Sequence, residues 1–210
     1  MILNVYKPVG WTSFDVVKKI KNILKVKVGH AGTLDPFAEG VLIVGTGSDT
    51  KLLGNIATKN KSYIATLVLG KSTDTLDSEG KINSIKKIPS LSKLDIKNTL
   101  EQFKGKTFQT PPMYSAKKVK GVRLYKLARK NISVYREPVL INIFSIKFLS
   151  FNSPILKFSL SCSKGTYVRV LGSDIANKLG TVGYLDKLIR TNVGKFNLHD
   201  SLKIEDIKIK

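Results

Sequence analysis

Gly29-His30-Ala31-Gly32-Thr33-Leu34-Asp35-Pro36-Phe37-Ala38-Glu39-Gly40 sets one carboxylate between glycine-rich backbone and a proline. Pro36 restricts the residue before it to extended conformations, so Asp35 cannot continue a helix, while the glycines before it permit turns and close approach of a ligand. The carboxylate therefore sits at an element boundary. Two readings are open for it. Asp35 can be an N-cap, accepting backbone N–H bonds from a short helix begun by Pro36, or a reactive group presented by a tight loop.

Working outward, Val41-Leu42-Ile43-Val44 has the unbroken apolar character of a buried strand. Upstream, Ile2-Leu3-Asn4-Val5-Tyr6 reads as a short strand and Lys7-Pro8-Val9-Gly10-Trp11 as a turn into a helix over 13–24. Thr12 followed by Asp15 marks the start of that helix, and Phe14, Val17, Ile20 and Leu24 are its expected apolar face. Tyr63 to Leu69 reads as a strand, residues 71–83 as a polar, partly acidic loop, and Ser92 as the opening of a helix with Ile96, Leu100 and Phe103 at helical spacing, ended by Gly105. The β-rich runs 139–151 and 155–162 precede Lys164-Gly165-Thr166-Tyr167-Val168-Arg169 and a helix reaching Leu179. No repeat or linker divides the chain, so one domain over 1–210 is expected, of the α+β class: a mixed, largely antiparallel sheet flanked by helices.

The 210 residues, 42% of them hydrophobic, are enough for a substantial core, and the formal net charge of +21 suits a polyanionic partner. Nucleic acid is the natural candidate and an anionic membrane the lesser one. Most of the charge is lysine, which also accumulates on surfaces through coding bias, yet it neutralises phosphates all the same. Cys162 stands alone in the apolar alternation Leu156, Phe158, Leu160, so it reads as buried and inert. With only His30 and His199 beside it, an ordinary structural zinc site is not expected. The sequence shows no membrane span and no signal-peptide layout, which makes the cytoplasm the default. Leu69-Gly70-Lys71-Ser72 fails as a phosphate-binding loop because position 65 is Ala, and Gly45-Thr46-Gly47 lacks the third glycine of a dinucleotide fingerprint. Between Thr110 and Lys130, aromatics and cations alternate around Gly121, which fits either a nucleic-acid clamp or a solvated loop followed by a helix with Leu124 and Leu127 inward.

Three segments combine: Gly29 to Gly40, Lys61-Ser62-Tyr63, and Lys164 to Arg169. With Lys7-Pro8-Val9-Gly10-Trp11-Thr12-Ser13, Gly70 to Thr73, Thr75, Asp77, Gly80, Pro111 to Lys117, and Leu188-Ile189-Arg190-Thr191, they resemble in order and spacing the bacterial tRNA pseudouridine-55 synthases of the TruB type. The resemblance implies the pseudouridine synthase fold and isomerisation of a T-loop uridine in tRNA, with no metal or redox cofactor. It implies Asp35 as the catalytic carboxylate, Arg169 as its partner, Tyr63 stacking on the target base with a phenol able to assist proton transfer, and Tyr167 packing or hydrogen-bonding beside Asp35. His30 would fill the space that an extruded base leaves in the RNA. Lys7, Lys61, Lys117, Lys118, Lys120, Arg123, Lys164 and Arg190 are the expected RNA contacts, residues 110–130 forming an RNA-gripping insertion. The family usually continues into a C-terminal RNA-binding domain of the PUA kind, which is not expected within this chain. A monomer acting on the tRNA T-arm follows, with neither DNA nor membrane as partner. The alternative is a catalytically silent RNA-binding or tRNA-folding module on the same scaffold.

Overall fold

The apolar run Val41-Leu42-Ile43-Val44 lies inside an eight-residue strand buried on both faces, in a computed structural model that describes residues 1–119 and 121–208. In chain order the strands are β1 (Ile2–Lys7), β2 (Val28–Ala31), β3 (Glu39–Thr46), β4 (Lys61–Leu69), β5 (Lys71–Thr73), β6 (Ile82–Ile85), β7 (Gly105–Gln109), β8 (Lys118–Val119), β9 (Val122–Arg123), β10 (Val139–Asn152), β11 (Ile155–Cys162), β12 (Gly183–Val193) and β13 (Phe196–Asn197). The helices are α1 (Ser13–Leu24), α2 (Leu53–Ala57), α3 (Lys93–Glu101), α4 (Leu124–Ala128) and α5 (Val168–Lys178). The main sheet has the hydrogen-bonded order β1-β3-β12-β4-β11-β10-β7, with β2 on β3 and β13 on β12. The pairs β1–β3, β2–β3, β7–β10 and β12–β13 are antiparallel, and β3–β12 is parallel. The mixed sheet with flanking helices is the expected class.

Contacts divide the described chain into two units. The first comprises residues 1–64, 161–164 and 187–210. In it β3 carries apolar side chains to both faces, as strands covered on both sides do. Leu42 and Val44 pack with Val5, Val16 and Ile20, whereas Val41 and Ile43 pack with Ala31, Leu53 and Val193. Helix α1 starts at the expected residue because Thr12 and Asp15 close a reciprocal capping box. Its inward face differs from expectation: Val16, Val17 and Ile20 are buried and Phe14 is exposed. At 100° per residue, the stripe centred on Val16 and Ile20 leaves Phe14 about two-fifths of a turn away.

The second unit comprises residues 65–160 and 165–186. Ser92 and Asp95 form a second capping box that opens α3, whose Ile96 and Leu100 are buried and which packs on β10. Gly105 does not end this helix, as its sequence position suggested; α3 stops at Glu101, and Gly105, at φ +104°, opens β7. The stretch 71–83 expected as a loop contains most of a two-stranded ribbon, β5 with β6. Among the described residues no helix is long and apolar enough to cross a membrane.

Candidate active site

Asp35 does not cap a helix: residues 36 and 37 form a turn, Ala38 N donates to Asp35 O (3.1 Å), and the chain then enters β3. The loop carrying Asp35 is pinned at successive peptide groups. Arg190, on β12 and 1% exposed, donates through Nε to Val41 O (2.7 Å), through Nη2 to Gly32 O (3.0 Å) and through Nη1 to Thr33 O (3.4 Å). Ser13 grips the next residue from both sides, its Oγ accepting from Leu34 N (2.9 Å) and donating to Leu34 O (3.1 Å). Lys7 Nζ donates to Pro36 O (3.3 Å), as well as to Pro8 O and Trp11 O, and Gly10 N donates to Pro36 O (2.8 Å). Tyr6 hydrogen-bonds Glu39 at the end of the loop. Backbone groups on both sides of Asp35 are thus fixed.

Gly40 makes this arrangement possible. It lies opposite Arg190 in the parallel pair, at φ +106°, and a Cβ there would fall 2.4 Å from Arg190 O. Only glycine lets the two strands approach at that point.

Tyr63 on β4 is buried, and burial first of all pushes its phenol up to about 12; the Asp35 charge adds to the rise and a hydrogen bond with Arg190 opposes it. The hydroxyl therefore keeps its proton at neutral pH. Burial, reinforced by Arg190, holds the His30 imidazole below its ordinary value, and its buried Nδ1 has no hydrogen-bond partner among the described residues. A neutral ring results. Lys61 is pushed down to about 8 by burial and then by the charges of Arg190 and Lys164, while its bonds to Ala57 O (2.6 Å) and Lys59 O (2.7 Å) favour the charged donor. Below about pH 8 the ammonium form prevails.

In the second unit, Arg169 lies in the first turn of α5 and is 4% exposed. Its guanidinium faces Asp77 (3.4 Å) and donates to Thr75 O (2.6 Å) and Tyr114 O (2.7 Å). Asp77 is itself buried and accepts from Thr75 Oγ1 (2.5 Å) and Glu79 N (3.1 Å). Tyr167, at the N-cap of α5, has its backbone held by the Gln109 amide, which accepts from Tyr167 N (2.7 Å) and donates to Tyr167 O (3.1 Å).

The first unit thus assembles Asp35, Tyr63, His30, Lys61 and Arg190, and the second holds Tyr167 and Arg169. Lys7, Lys61 and Arg190 are among the RNA contacts expected from the sequence. All three are buried, with their cations engaged by backbone carbonyls. Lys118, Arg123 and Lys164 are exposed and Lys117 is half-buried, while Lys120 lies outside the described residues. Lys118, Arg123 and Lys126 line a cavity of about 490 Å³ with Gly121, Val122 and Tyr125. Ser13, Asp77 and Gln109 were not among the expected site residues. Ser13 and Asp77 fall within the segments that carry the family resemblance, where a small hydroxyl and a lone acid are available as signals; nothing in the local pattern marks Gln109.

The family model for the TruB family pseudouridylate synthase N-terminal domain matches residues 18–168. A tRNA pseudouridine synthase B of Clostridium tetani is 48% identical over 207 residues, which cover 98% of this chain and 72% of the relative. Its counterpart in Ureaplasma urealyticum serovar 10 is 43% identical, with 98% and 91% covered. Among solved structures, a chain in a crystal structure of a Cbf5-Nop10-Gar1 complex superposes with a TM-score of 0.77 at 26% identity over 98% of this chain. This chain spans about half of that one, 52%. A chain of an archaeal box H/ACA sRNP Nop10-Cbf5 complex shares the fold, with a TM-score of 0.71 at 24% identity, 98% of this chain and 51% of that one being covered.

Proposed function

The chain belongs to the TruB family of pseudouridylate synthases and is an isomerase that converts uridine in tRNA to pseudouridine, and we propose that it acts on uridine 55 of the T-loop with Asp35 as its catalytic carboxylate. The reaction breaks the bond between ribose C1′ and N1 of uracil, turns the base in place and joins C1′ to C5. The proton leaves C5 and N1 gains one, so atoms and electrons balance without an added reactant. Asp35 can serve by attacking the ribose, by attacking the base or by removing a sugar proton. Each route requires an oxygen held against the sugar–base bond with little freedom, because misplacement by an ångström forfeits much of the rate.

One observation carries this reading: the peptide groups around Asp35 are fixed by Arg190, Ser13 and Lys7. A surface acid needs no such support. Tyr63, kept protonated by burial, offers a ring face and a neutral hydroxyl donor rather than a phenolate base. Arg169 and Tyr167 complete the catalytic set in this reading, Arg169 being oriented by Asp77 and two carbonyls and the backbone of Tyr167 by Gln109. Extruding the uridine costs on the order of a few kcal/mol of unstacking, and the neutral His30 ring fits the vacated space. Lys117, Lys118, Lys120, Arg123 and Lys164 supply salt-dependent grip on phosphates rather than base selectivity. The protein works as a monomer in the cytoplasm, its net charge of +21 opposing self-association.

The test is tritium release from a tRNA transcript labelled at C5 of uridine. Release from a single uridine, abolished when the T-loop uridine is replaced by cytidine, is expected. No release, or release that survives the replacement, overturns the assignment.

A further inference from the structure

The outer face of β7 and β10 departs from what a solvated sheet face needs. The inward residues of β10, Ile141, Ile143 and Ile146, are buried and α3 packs on this strand, so its share of the core is complete. On the other face Phe108 lies directly opposite Leu140, Lys106 opposite Asn142, and Phe144 follows two residues further along β10. Phe108 is 70% exposed, Leu140 53% and Phe144 42%. Antiparallel strands with one solvated face normally turn polar side chains outward, and an apolar edge invites aggregation unless something uses it.

We propose that this face is a second RNA contact, on which Phe108 and Phe144 stack two unpaired bases of the substrate while Lys106 and its neighbours neutralise the adjoining phosphates. The choice of RNA as occupant rests on the isomerase reading above. Charge singles out the occupant: Lys104, Lys106 and Lys147 are exposed on and beside these strands, and aromatic rings interleaved with lysine make a stacking platform for single strands. A second copy of this chain would bring the same positive charge to the same place. Phe108 lies opposite Leu140, which is four residues from Phe144, so the two rings are about 13 Å apart along the strand direction. Stacked bases repeat at about 3.4 Å, so the two rings receive separate, unstacked bases and not a duplex end. Residues of this face take no part in the catalytic set, and its contribution is to hold RNA beyond the flipped nucleoside.

Fluorescence anisotropy with labelled oligouridine and with a T-arm hairpin tests the proposal, using F108S/F144S, F108Y/F144Y and K106A. The serine pair is expected to weaken oligouridine binding by about tenfold or more. The tyrosine pair should bind like the parent, and K106A should flatten the salt dependence by somewhat less than one unit of slope. Unchanged oligouridine affinity in the serine pair, or equal loss in the serine and tyrosine pairs, overturns the proposal. So does sedimentation showing a parent dimer that the serine pair abolishes, which would assign the face to a second copy. If the parent releases no tritium yet oligouridine binding follows the expected pattern, the isomerase reading falls and this contact stands.

Discussion

The loop over residues 29–40 and the insertion over residues 110–130 both stand out in the sequence, yet they are anchored in opposite ways. Around Asp35, buried cations and a buried serine hold the carbonyls of Gly32, Thr33, Leu34, Pro36 and Val41. In the insertion, Leu124 is buried and backbone bonds tie Leu124 to Lys117 and Tyr125 to Ser115, while Lys118, Arg123 and Lys126 remain exposed. The difference follows the work each does. A carboxylate that must meet one bond of one nucleoside gains from a fixed backbone, whereas cations that neutralise a phosphate chain act through long-range, salt-screened attraction and need no fixed geometry.

The contrast breaks most readily at Arg190. Arg190→Met leaves three carbonyls without their donor and is expected to lower the urea-unfolding free energy by on the order of 3–5 kcal/mol and to abolish turnover. Arg190→Lys should recover less than half of that loss, because an ammonium cannot reproduce the guanidinium fork. Parent-like stability in either variant would mean the loop is held by something else. Ser13→Ala, which removes both bonds to Leu34, should cost about 1–2 kcal/mol and reduce kcat with hairpin affinity nearly unchanged. The insertion should behave in the opposite sense. K117A/K118A/R123A is expected to keep stability within about 0.5 kcal/mol while the slope of log affinity against log salt becomes shallower by about 2.

Titration sharpens the comparison with smaller effects. Tyr63 and Tyr6, both raised from 10.0 to about 12, should ionise late in an absorbance titration, and Tyr63→Phe should remove one of these two late steps. Because a phenol raised from 10.0 binds its proton more tightly in the folded state, its stabilising contribution is complete below about pH 10 and is lost as pH rises towards 12. His30 has the reverse sign. Its folded value lies below 6.5, so its contribution is present above that pH and is lost on acidification, a loss that His30→Gln should remove from the acid limb of the stability curve.

Elements whose signals are local were readable in the chain itself. The Thr12–Asp15 pair placed the start of α1, and the alternating or unbroken apolar runs located β3, β4, β10 and β11. Strands whose stability comes from partners were not readable. Strand β2, only Val28–Ala31, forms because β3 offers it an antiparallel edge, and β12 pairs in parallel with β3 from far along the chain. The same limit governed the site. Asp35, Tyr63 and Arg169 stand within motifs, but a motif does not reveal whether a lysine or arginine faces solvent. The burial of Lys7, Lys61 and Arg190 against backbone carbonyls was therefore not legible, Pro36 lying far along the chain from Lys7 and Gly32 from Arg190. Gln109, which steadies Tyr167 from 58 positions away, has no local signature at all.

The most direct measurement is single-turnover pseudouridine formation in a T-arm hairpin by the parent and by Asp35→Asn, with hairpin affinity determined in parallel. Replacing one carboxylate oxygen by an uncharged amide nitrogen on a fixed loop should leave affinity within about twofold and lower the rate by at least about a thousandfold. Product formed by Asp35→Asn at a rate near the parent's would contradict the assignment of Asp35 as the catalytic group.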